Sequence, residues 1–143
     1  MKAADTTVDT RPVPRAGHVA AFGLLLTAGA LFERVNAWSS GRQYVFCHAS
    51  EAVDRLTYTA LGLVLSAGAL STLGAIALWW NRTRSTRLHL ACMIAVVAVL
   101  MAADGVDAHG ERRAATIAAE RPADDKCDYT PQDYTATPGW FYW

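Results

Sequence analysis

From Leu56 to Trp80 the chain runs twenty-five residues without one charged side chain. An α-helix rises about 1.5 Å per residue, so this stretch reaches about 37 Å, beyond the ~30 Å hydrocarbon core of a bilayer. A chain of 143 residues folding in water has no core wide enough to need so long an uncharged helix. Residues 56–80 are therefore expected to form a transmembrane helix.

The letters FGLLLTAGAL at 22–31 return thirty-nine positions later as LGLVLSAGAL at 61–70. If the second copy lies in lipid, the first is expected there too. Ala16 to Phe32 carries no formal charge. It extends to a full span, 16–38, if Glu33 and Arg34 sit near the headgroups. A third apolar run begins at Leu88 and reaches full length, 88–108, with Asp104 and Asp107 at the membrane edge. The fold class that follows is all-α, an integral membrane protein with three transmembrane helices. It has a short N-terminal tail (1–15), a loop (39–55), a basic loop (81–87) and a partly irregular tail (109–143). A rival reading of the N-terminus is a cleaved secretory signal over residues 1–37, with Lys2, Arg11 and Arg15 ahead of the apolar run and "VNA" before Trp38. Prolines in the leading segment, and Glu33 and Arg34 ahead of the cut, argue against it.

Three spans put the termini on opposite faces. The loop NRTRSTR holds Arg82, Arg84 and Arg87 and no acid, and short basic loops stay cytoplasmic. That places the N-terminus inside, and the 39–55 loop and the tail outside. The Lys/Arg count itself is near balance, six inside and seven outside; the argument rests on the compactness of the loop. The Ala-rich, Arg-over-Lys composition suggests a high-GC bacterium, hence a bacterial plasma membrane. Cys47 and Cys127 share a side in either orientation, and on an oxidising side a disulfide between them would clip the tail to the loop. Cys92 falls mid-span as a small core residue.

Helices in lipid associate through close backbone approach rather than apolar surface alone. Gly23 and Thr27 form a small-xxx-small pair, Gly62 and Ser66 repeat it at the same offset, and Ala67, Ser71 and Ala75 make a further small-residue row. The repeated segments are thus expected to be a shared packing surface between antiparallel spans. Parallel spans one and three bring Arg34 to the level of Asp104 and Asp107, where an ion pair would fix their register; an unpaired charge there is costly. The rival reading of these residues is a proton or cation relay. Trp38, Trp79, Trp80 and Tyr58 mark interfacial belts.

Chemistry-bearing constellations are few. His18 and His89 begin spans one and three and would serve a haem b held between helices, although both lie at the membrane edge. Outside, Cys47, His48, Asp104, Asp107, His109 and Cys127 are metal-capable donors, but no fixed local spacing joins them and no metal site is expected. There is no G-x-S-x-G, phosphate-binding Gly-rich loop, H-E-x-x-H or C-x-x-C. A net charge of zero with basic residues spread thin gives no nucleic-acid footprint.

The chain ends in Trp140, Phe141, Tyr142 and Trp143, behind a Pro-Gly hinge. Terminal aromatics either anchor in a partner or fold back onto the headgroups. The first expectation for function is a non-catalytic accessory subunit of a larger membrane complex, whose partners are other integral membrane subunits and the bilayer. The second is a membrane redox or haem-binding subunit using His18 and His89. The third is a small transporter or channel component using Asp104, Asp107 and Arg34.

Overall fold

The computed structural model describes residues 16–36, 42–80, 85–120, 131–137 and 139–141. Its elements in chain order are α1 (Ala16–Val35), β1 (Gln43–Phe46), α2 (Glu51–Trp80), α3 (Thr86–Glu120) and β2 (Gln132–Thr135). All three helices are long and apolar enough to cross a membrane, which suggests a multi-pass membrane protein. At 1.5 Å per residue they are about 30, 45 and 52 Å long. Helix α2 is central, packing most extensively on α3 and next on α1. Val64, Ala67, Val96, Leu100 and Ala103 form the bundle core with Ala30. Large apolar side chains face outward along each helix, with Leu25 73%, Leu73 65% and Trp80 84% exposed. Such a surface is matched to lipid rather than to water.

Helix α1 stops at Val35, short of the expected 38, and α3 starts at Thr86, two residues before the expected 88; two further boundaries differ by more. Helix α2 begins at Glu51 instead of 56, because Ser50 accepts the first backbone bonds, from Val53 and Asp54 at 3.0 Å each. Glu51 and Asp54 in its first turn complement the positive end of the helix dipole. Helix α3 runs unbroken past the expected end at 108 to Glu120. Gly110 sits inside it as a packing position: an added β-carbon would lie 3.2 Å from the Tyr134 hydroxyl and 3.6 Å from Leu56 Cβ. Both extensions project from the same end of the bundle.

That end carries the two short strands, which amend the all-α expectation. Strands β1 and β2 pair antiparallel, with Tyr44 opposite Tyr134 and Phe46 opposite Gln132. In β1 the burial alternates, Tyr44 and Phe46 turning inward and Gln43 and Val45 outward, the period of two of a half-buried strand. Phe46, Val53 and Ala114 close a second small core, joined by Tyr44, Ile117 and Tyr134. The loop after α1 and the tail after α3 therefore form one cap over the ends of α2 and α3.

Candidate functional site

The polar groups of the described residues gather where the cap meets the bundle. Arg34, in the last turn of α1, pairs with Asp107 of α3, both side chains largely buried; its Nη1 also donates to the Ala30 carbonyl at 3.2 Å. Of the two acids expected opposite Arg34, Asp107 forms the ion pair. Asp104, three residues earlier on α3, turns to the tail instead. Its carboxylate accepts the backbone N–H of Trp140 at 3.2 Å and of Phe141 at 2.7 Å. The Trp140 indole rests on Gly29, where an added β-carbon would lie 3.1 Å from the ring. A glycine in α1 thus makes the seat, and a carboxylate in α3 holds the backbone above it.

Further out, Glu111 Oε1 accepts a hydrogen bond from the Tyr44 hydroxyl at 3.1 Å and pairs with Arg42 at the same distance. The rings of Tyr44 and Tyr134 are tilted, 6.4 Å apart. Burial pushes the Tyr134 hydroxyl up to about 12, and the nearby carboxylates of Asp107 and Glu111 add to the shift while Arg34 opposes it. Tyr44 is raised as well, by burial and then by its bond to Glu111. Gln132 locks the cap to α2: its amide oxygen accepts the Ser50 N–H at 2.9 Å, and its Nε2 donates to Asp54 at 2.8 Å. Five elements of the chain are joined through these contacts.

The expected helix-packing positions divide into two groups. Gly23 lies against Ser71, and Thr27 against Gly68; Ala67, Ser71 and Ala75 are buried. The hydroxyls of Thr27 and Ser71 donate to carbonyls of their own helices, at 2.8 and 2.9 Å, so the contact is made of carbon surface. Gly62 and Ser66, expected in the same seam, face outward: a β-carbon added at Gly62 would meet open space, and Ser66 is exposed with its hydroxyl turned to the Gly62 carbonyl at 2.7 Å. The two copies of the repeat use different faces. The first packs through its second and sixth letters and the second through its fourth, seventh and eighth, because α2 must serve α1 and α3 at once.

The two candidate haem ligands are presented differently. His89 is buried, its Nδ1 donating to the Ser85 carbonyl at 2.8 Å, while His18 is exposed. No group of three or more His, Cys, Asp or Glu side chains is placed to hold a metal ion among the described residues. Cys92 is a free thiol beside Gly74. Cys127, Tyr142 and Trp143 lie outside the described residues. Trp140 and Phe141, expected to reach for a partner, fold back onto the bundle and keep 40% and 45% of their surface exposed.

Sequence reasoning passed over Tyr44, Gln132, Tyr134, Gly29 and Gly110. The aromatic and β-branched residues of QYVF and QDYT were the available signal for the strands; the glycine seats had none, since each depends on a residue distant in the chain. Comparison of the chain with protein-family models, with characterised proteins and with solved structures returns no match.

Proposed function

We propose that this chain is a non-catalytic accessory subunit of a larger bacterial plasma-membrane complex. It crosses the bilayer three times, with the N-terminus and the 81–87 loop in the cytoplasm and the cap outside. The observation that carries the reading is the tip of the tail: Trp140 and Phe141 are fixed by Asp104 and the Gly29 seat, yet each leaves nearly half its surface open. Aromatic residues are the common anchors of protein interfaces, and an anchor already held in place loses less conformational freedom when it docks. The exposed apolar helix faces offer the same subunit to lipid and to neighbouring helices.

In this reading the cap lies on an oxidising side and carries a Cys47–Cys127 disulfide. Cys47 follows Phe46, whose ladder partner is Gln132, and only residues 128–131 separate Cys127 from Gln132. So short a span from the paired strands supports the bond.

The test is removal of residues 138–143, followed by gentle detergent extraction and native separation. The full chain travels with its partner and the truncated chain travels without it. Unchanged co-migration of a truncated chain that still reaches the membrane contradicts the docking role.

A further inference from the structure

The outer ends of α2 and α3 flank an open groove of about 390 Å³ lined by Glu51, Arg55, Leu56, Thr59, His109 and Arg113. It plays no part in the junction around Arg34 and Asp107. Its lining is cationic. Arg113 and His109 stand one turn apart on α3, both exposed, with no partner among the described residues, and face Arg55 across the groove. Glu51 offsets part of this charge by pairing with Arg55 at 2.6 Å, but both side chains are more than three-quarters exposed. Such a pair is weak, and the guanidinium keeps donors to spare.

The groove also has a fixed depth. Arg55 is the last charge before the twenty-five uncharged residues of α2, so the cationic floor sits where lipid headgroups would lie. Below it, α2 continues the same exposed line through Thr59, Gly62 and Ser66. Leu56 lies against Gly110, and Gly74 against Cys92. This antiparallel register sets residues 62 and 66 level with residues 100–104 of α3, where Ala102, and Ala98 one turn deeper, continue the exposed line of His109 and Arg113. Along these two lines the exposed side chains are small, with Leu65 and Met101 standing exposed on other stripes, and a β-carbon added at Gly62 would meet open space. The pocket ends at Thr59, one turn above this line of small side chains.

We infer that this groove binds the phosphate headgroup of an anionic glycerophospholipid, with an acyl chain lying along the Gly62–Ser66 furrow. Arginine forks match phosphate oxygens in a bidentate geometry, and the furrow admits a flexible chain against the backbone. A soluble phosphate ester would use the pocket and leave the furrow empty. The inference rests on the multi-pass reading and holds in either orientation.

The test is native mass spectrometry of the full chain in detergent, titrated with phosphatidylglycerol, phosphatidylcholine or glycerol phosphate. One phosphatidylglycerol is retained per chain, in preference to phosphatidylcholine. R55Q/R113Q weakens that binding about tenfold or more, and Gly62→Leu with Ser66→Leu weakens it without altering any charge. All four positions are exposed, so folding is not at stake. Phosphatidylglycerol affinity unchanged in either variant overturns the site. So does competition by glycerol phosphate at equal concentration, which marks a site for free anions. Loss of a co-purifying protein from R55Q/R113Q with lipid affinity intact marks an acidic partner and overturns it too. Release of the chain from membranes by alkaline carbonate overturns the multi-pass reading itself. A chain retained there with unchanged lipid affinity overturns the headgroup site alone.

Discussion

Gly23 of α1 lies so close to Ser71 of α2 that a β-carbon on the glycine would overlap the serine side chain. The contact pins the crossing of the two helices with carbon surface, since the hydroxyls of Thr27 and Ser71 are bonded within their own helices. Among the described residues, packing of small side chains rather than polar bonds between helices holds α1 to α2.

Gly23→Val forces the helices apart and is expected to cost about 1–3 kcal/mol, the usual scale of overpacking. Gly62→Val, the equivalent letter of the second copy, meets open space and leaves folding unchanged. Denaturant unfolding in mild detergent compares the two. Equal losses from both would contradict the asymmetric use of the repeat.

Arg34 and Asp107 are buried together between α1 and α3. Removing one partner strands the other charge, at a cost of about 3 kcal/mol or more, whereas replacing both by apolar residues costs much less. A double-mutant cycle on Arg34→Leu and Asp107→Leu should therefore show strong coupling. Additive losses would remove the pair from the account of α1–α3 register.

How much of this was legible in the chain differs from element to element. The uncharged run at 56–80 announced α2 because length and charge alone decide what lipid tolerates. The level of Arg34 against Asp107 followed from counting residues along parallel helices. The choice of Asp107 over Asp104 did not, because it depends on a tail that returns to claim Asp104. Nor did the face used by the second repeat, since Gly, Ala and Ser line several stripes of α2. Strands of four residues separated by most of the chain leave only a few aromatic and β-branched letters as a signal, and Gly110 reads as a helix end until Tyr134 and Leu56 are placed beside it.

Tyr134 gives the cap a pH limit. Its hydroxyl is raised by burial to about 12, above the ordinary tyrosine value of about 10. The folded cap holds the proton more tightly than the unfolded chain does. The resulting stability is fully present below about pH 10 and is lost as the pH rises through about 12. Ultraviolet titration of tyrosinate should show a latest-ionising component that disappears in Tyr134→Phe. A wild-type titration indistinguishable from that of Tyr134→Phe would place the ring in water.

The proposed disulfide is checked by proteolysis of the purified chain without reductant. A peptide containing Cys47 should remain linked to one containing Cys127 and separate on reduction, with Cys92 alkylated throughout. Free alkylation of Cys47 in protein taken directly from the membrane would contradict the clasp.

The ladder between β1 and β2 requires that the loop after α1 and the tail after α3 lie on one side of the membrane. Single cysteines placed at Gln43, at Asp133 and in the 81–87 loop, in a background lacking the native thiols, can be probed in intact cells with an impermeant maleimide. Positions 43 and 133 should label together from outside, and the 81–87 position only after the membrane is opened. Opposite accessibility of Gln43 and Asp133 would contradict the three-crossing arrangement.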